Sequence, residues 1–138
     1  MTRSGFTLVE ILIVVIILGI LAAIVIPQFT EASNDARLSS LTSDIQTMRS
    51  QLELYKVQHL DVYPALDTFV AQMTGQTNIN GAAGTDFGPY LHRVPSNPFM
   101  AGGAASTIGT GDYGSSAWYY NATTGEFRAN DTEAHGAY

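Results

Sequence analysis

Hydrophobic and polar positions follow three different rules along this chain. Residues 11–26 are sixteen positions with neither a charge nor a polar side chain. From Leu38 the apolar positions become periodic: Leu38, Leu41, Ile45, Met48, Leu52 and Tyr55, in steps of three and four. That spacing is a narrow stripe on one helix face. Ser39, Ser40, Asp44, Arg49, Ser50 and Glu53 fall on the other faces. Beyond residue 60 the periodicity ends, and short apolar runs alternate with Gly, Pro, Ser, Thr and Asn.

The first two patterns predict one nearly continuous helix over residues 6–60. Pro64 sets its end near residues 59–62, because a proline disfavours helix at the residue before it. Leu66, Phe69, Val70 and Met73 predict a short second helix. Residues 75–88 read as a loop. Residues 88–91 and 94–99 hold too much proline for central strands and are expected to run extended. Residues 102–116 form a second loop, with at most a short strand near Thr107 and Ile108. Residues 117–120 and 126–129 are aromatic runs joined by a five-residue connection ending in Gly125, which reads as a β-hairpin. The small sheet is expected to pack on the 38–55 stripe. The fold class is therefore α+β, with one long helix feeding a small domain.

The uniform segment has the dimensions of a membrane span. Residues 6–26 in a helix reach about 30 Å, the thickness of a bilayer's hydrocarbon core. A cleaved secretory signal has a shorter apolar region and a small-residue cleavage site behind it, and neither fits here. Arg3 is the only base before the span, and Glu31 and Asp35 follow it. The positive-inside rule then puts the N-terminus in the cytoplasm and the rest outside.

Charge and composition narrow the function. The net charge is −6, and eleven of the twelve acids lie after Glu10. An acidic chain lacks the clustered bases that neutralise nucleic-acid phosphates, so no nucleic-acid partner is expected. There are no cysteines, which removes disulfides, thiolate metal sites and a Cys nucleophile. His59, His92 and His135 have no metal-ligand spacing. No nucleophile elbow or nucleotide loop is present, and no enzyme is expected. Asn121-Ala122-Thr123 and Asn130-Asp131-Thr132 match the glycosylation acceptor pattern, a match expected mostly by chance in an Asn/Thr-rich tail. Trp118 and the tyrosines are expected in the core.

Glu10 is the one charge inside the span. An intramembrane carboxylate is functional by default and needs a partner, yet no Lys, Arg or His lies in the segment. Gly5-Phe6-Thr7-Leu8-Val9-Glu10, the long apolar run and the terminal Pro27 together resemble the prepilin signal of type IV pilins and type II secretion pseudopilins. The resemblance is strong over about the first 30 residues. Tyr63-Pro64, the Gly88-to-Leu91 and Asn97-Pro98 segments and the Trp118 hairpin are loosely similar to small pseudopilins.

The resemblance implies a pilin-like fold with a leader at residues 1–5, a transmembrane and assembly helix at 6–27, an amphipathic continuation at 28–60 and a globular domain at 61–138. It implies cleavage between Gly5 and Phe6 by a prepilin peptidase, methylation of the new Phe6 amine, and stacking into a homo-oligomeric helical filament. The expected partners are that peptidase, an inner-membrane assembly platform, minor pilins or pseudopilins, and membrane lipid. The expected site is the inner membrane, then a periplasmic or extracellular filament. Glu10 is expected to pair with the Phe6 amine of its own chain or of a neighbour and so to fix subunit register. Helicity is expected to weaken between Gly19 and Pro27. The family also implies calcium, for which Asp86, Asp112, Asp131 and Glu133 are the candidate oxygen ligands. The alternative to a filament subunit is a monomeric, membrane-anchored binding module outside the cytoplasm, with calcium as one candidate ligand.

Overall fold

The structure is a computed structural model that describes residues 5–138. The chain forms two compact units, one ending at Ala36 and one running from Arg37 to Tyr138. Helix α1, Leu8–Gln58, contributes to both and contains Pro27. It is 51 residues long, shorter at both ends than the 6–60 span expected. Thr7 caps the front end. At the back, the Lys56 carbonyl accepts from the N–H groups of both His59 and Asp61, at 3.2 and 3.1 Å. Leu60 and Asp61 then adopt left-handed backbone, with φ of 57° and 62°, and the chain leaves the helix two residues early. Such conformations normally fall to Gly.

In the second unit, α1 presents Leu41, Ile45, Met48, Leu52 and Tyr55 as fully buried side chains. Leu38 packs at the edge of the same core. This is the stripe the sequence predicts. A 3-10 turn at Leu66–Thr68 leads into α2, Phe69–Thr74. Phe69 and Met73 are buried, while Leu66 and Val70 stay partly or fully exposed.

Three short strands form one sheet in the order β1-β2-β3. They are β1 (Ile108–Gly109), β2 (Trp118–Tyr120) and β3 (Phe127–Ala129). β2 and β3 are the expected hairpin, with Trp118 opposite Ala129 and Tyr120 opposite Phe127. β1 pairs with β2 in parallel. Strand side chains alternate in direction, so Trp118, Tyr120, Phe127 and Ala129 face the core and Tyr119 and Arg128 face out. The Arg128 guanidinium lies 4.1 Å from the Tyr119 ring and 4.5 Å from the Tyr113 ring. Gly125 closes the hairpin at φ 75°. A Cβ there would run into the Tyr63 ring.

The proline segments do not pair as strands: the N–H groups of Tyr90 and Leu91 donate to the Met73 carbonyl, and core aromatics donate to the carbonyls of Pro95 and of Pro64 upstream. Trp118 Nε1 donates to the Pro95 carbonyl at 2.9 Å, and the Tyr120 hydroxyl donates to that of Pro64 at 2.7 Å. Burial pushes the Tyr120 phenol well above its ordinary pKa, which keeps that donor protonated. No buried side-chain polar atom lacks a partner among the described residues.

Two buried asparagines organise the loops. Asn97 Nδ2 donates to the Ala117 carbonyl and to Asp131 Oδ1, and Asn97 Oδ1 accepts from the Phe99 N–H. The Asn130 amide lies 3.0–3.3 Å from the carbonyls of Gly111 and Asp112 and the hydroxyls of Ser115 and Ser116. Asn130 is fully buried and offers no access to a glycosylating enzyme. A last short helix, α3, Glu133–Gly136, was not expected from the sequence; Thr132 caps it by accepting from the His135 N–H.

Two substitutions test this account. Asn130→Ala strands a cluster of loop acceptors and is expected to lower stability by about 1–3 kcal/mol, read by urea unfolding of the purified protein. Leu60 is 65% exposed and contributes little packing, so removing its Cβ relieves left-handed strain of about 1–2 kcal/mol. Leu60→Gly is therefore expected to match or exceed the parent's urea midpoint. A clear drop would show that the turn is unstrained.

Candidate functional site

The first unit is a helix without a covering layer. Every large apolar side chain from Leu8 to Ile26 is at least half exposed, although burying one is worth about 1.5–3 kcal/mol. The segment is long and apolar enough to cross a membrane. The helix continues without a break through Gly19 and Pro27. Pro27 has no N–H to offer the Ala23 carbonyl. Thr30 Oγ1 donates to the Ile26 carbonyl at 3.2 Å, so a side chain shares the hydrogen bonding just past the proline. Gly19 has no neighbouring atom within 4 Å of where a Cβ would sit.

The chemistry gathers at the front end. Gly5 and Phe6 are exposed and outside the helix. The remainder of the expected leader, residues 1–4, lies outside the described residues. Thr7 and Glu10 form a reciprocal cap. The Thr7 N–H and the Thr7 hydroxyl both donate to Glu10 Oε2 at 2.8 Å, and the Glu10 N–H donates to Thr7 Oγ1 at 3.2 Å. This is a capping box, in which each residue satisfies a backbone N–H of the other. The negative carboxylate also sits at the positive end of the helix dipole.

Glu10 therefore has a local partner that sequence reasoning missed. The signal was present, since Thr-x-x-Glu before an apolar run is the capping-box pattern. Both Thr7 donors use Oε2; among the described residues Oε1 accepts no hydrogen bond. One oxygen closes the helix end, and the other is unbonded among the described residues.

The calcium candidates are placed as follows. Asp131 is nearly buried, with Oδ1 held by Asn97 and Oδ2 2.5 Å from His135 Nδ1. Asp112 offers its backbone carbonyl to Asn130 and Ser115. Asp86 belongs to the 75–88 loop, where its N–H donates to the Thr77 carbonyl, and Glu133 opens α3. Among the described residues, no three His, Cys, Asp or Glu side chains gather as a metal site.

The histidines do not come together. His59 is buried and stacks on Tyr55 at 3.7 Å. Its Nδ1 bonds the Tyr55 carbonyl and its Nε2 the Thr77 hydroxyl. His135 lies against the Phe99 ring, and His92 is exposed.

The family model of the prokaryotic N-terminal methylation motif matches residues 1–26. The chain is 35% identical to the type II secretion system core protein G of Pseudomonas aeruginosa over 106 residues, covering 70% of this chain and 68% of the relative. It is 31% identical to the protein of that name from Aeromonas hydrophila, covering 81% and 77%, and 29% identical to that from Klebsiella michiganensis, covering 82% and 78%. No solved structure matches the chain. With a methylation-motif N-terminus and relatives along most of its length, the chain belongs to the type II secretion system core protein G family.

Proposed function

We propose that this protein is a structural subunit of a type II secretion pseudopilus, made as a prepilin and cut between Gly5 and Phe6. The new Phe6 amine is methylated, and the subunits stack through their apolar helices into a filament. The observation that carries the reading is the uncovered half of α1. A single small domain has no use for so many exposed aliphatic side chains except to hand them to lipid and then to other helices. The relatives' role in type II secretion favours a secretion filament over a motile pilus. The partners implied are a prepilin peptidase, an inner-membrane assembly platform and minor pseudopilins. The N-terminus is cytoplasmic, and residues after Pro27 lie outside.

Glu10 supplies register. An apolar helix can slide along another at little cost, whereas a buried carboxylate and a buried amine must meet. With Oε2 occupied by its own Thr7, Oε1 is the oxygen available to a neighbour's Phe6 amine. The helix cap and the inter-subunit pair therefore draw on different atoms of one side chain.

Two variants separate these roles. Glu10→Leu removes both cap and charge, and Glu10→Gln keeps a capping acceptor but not the charge. Both are expected to insert, and both are expected to give no filaments in an assembly assay read by electron microscopy. Normal filaments from Glu10→Gln would assign Glu10 to the cap alone, and normal filaments from both would remove it from assembly. A fragment lacking residues 1–27 is expected to be a soluble monomer by sedimentation; self-association there would place the assembly contacts in the domain.

A further inference from the structure

We infer that Thr7 is a positioning residue for leader removal, because its cap starts the helix one residue beyond itself and leaves the Gly5–Phe6 bond in non-helical chain. This rests on the processing reading above. Two independent observations support it: Gly5 and Phe6 are exposed and non-helical, and the methylation-motif match covers them, which marks the segment as one that enzymes act upon.

A peptidase takes its substrate as an extended strand, with backbone groups free to pair with the enzyme. A bond inside the first turn of a helix is closed to that pairing. The helix start therefore has to be held downstream of the bond. The apolar run does not hold it, because nothing in its composition marks a first residue. Thr7 does, through the three hydrogen bonds it exchanges with Glu10.

The direction of the effect follows from the surroundings. Without the Thr7 hydroxyl the helix end must move. Fraying inward would expose backbone N–H groups to lipid, where each unsatisfied group costs several kcal/mol. Moving outward is favoured, and the next residue upstream able to cap is Ser4. A helix capped at Ser4 takes Gly5 and Phe6 as its first two residues, which closes the bond to the peptidase.

The test uses the full chain in detergent micelles with a purified membrane prepilin peptidase. Leader removal is timed by mass spectrometry for the parent, Thr7→Val and Thr7→Ser. Valine keeps the shape and removes the hydroxyl, and serine keeps the cap. Thr7→Val is expected to be cut about fivefold more slowly, the factor that corresponds to a cap's about 1 kcal/mol. Thr7→Ser is expected to be cut at the parent's rate. Carbon chemical shifts at Gly5 and Phe6 are expected to turn helical in Thr7→Val only, which a direct contact between the hydroxyl and the enzyme would not produce. Equal rates for parent and Thr7→Val, slowing in Thr7→Ser as well, or slowing without the change in shifts would each overturn the inference. A parent chain left uncut at Gly5–Phe6 would overturn the processing reading itself.

Discussion

Five side chains on one helix face hold the domain together. Leu41, Ile45, Met48, Leu52 and Tyr55 are each at most 2% exposed, and the hairpin aromatics, Phe69 and Met73 share their cluster. The stripe is narrow because its spacing alternates three and four. One stripe accepts one layer, so the domain covers one side of α1 and leaves Leu54 and Val57 exposed. The first half of the helix has no stripe. Its apolar residues point in every direction, which no single covering layer can satisfy. The same helix thus carries two kinds of surface, one that specifies a fold and one that specifies an environment.

The sheet that covers the stripe has eight residues in three strands, too few to stand alone. Its order comes from polar side chains. Asn97 and Asn130 convert loops that would otherwise wander into fixed backbone, since each bonds several peptide groups at once. A chain without cysteines has no covalent staple for these loops. Buried amides do that work here, and they are costly to remove because each leaves partners stranded.

What the sequence made legible follows from which interactions are local. The stripe, the hairpin and the uniform span are repeating patterns within a few residues, and all three appear where spacing places them. The end of α1 was misplaced by two residues because a left-handed Leu60 is unusual, and Pro64 was the only visible stop. The roles of Asn97 and Asn130 depend on partners 14 to 34 residues away, which spacing does not reveal. The acceptor pattern at Asn130 is local and visible in the sequence, whereas its burial is not. At the candidate site the position of Glu10 was legible and its Thr7 partner was overlooked, although that partner is only three residues away.

The cap also explains why a carboxylate is suited to this position better than its amide. Glutamine could accept from the Thr7 N–H and close the helix end equally well. Its remaining terminal group would then be an NH2, a donor only. A donor facing a neighbouring chain's amine makes no bond and leaves the amine's charge without a partner. Glutamate has two acceptor oxygens and a charge, so satisfying Thr7 with Oε2 leaves Oε1 able to meet a cation. A charge that looks expensive for one membrane helix is therefore partly stabilised within that helix, through two donors from Thr7 and the helix dipole. In the assembly proposed above, what is left over is a directional acceptor at a fixed height along an otherwise featureless surface, able to select one register between neighbouring helices.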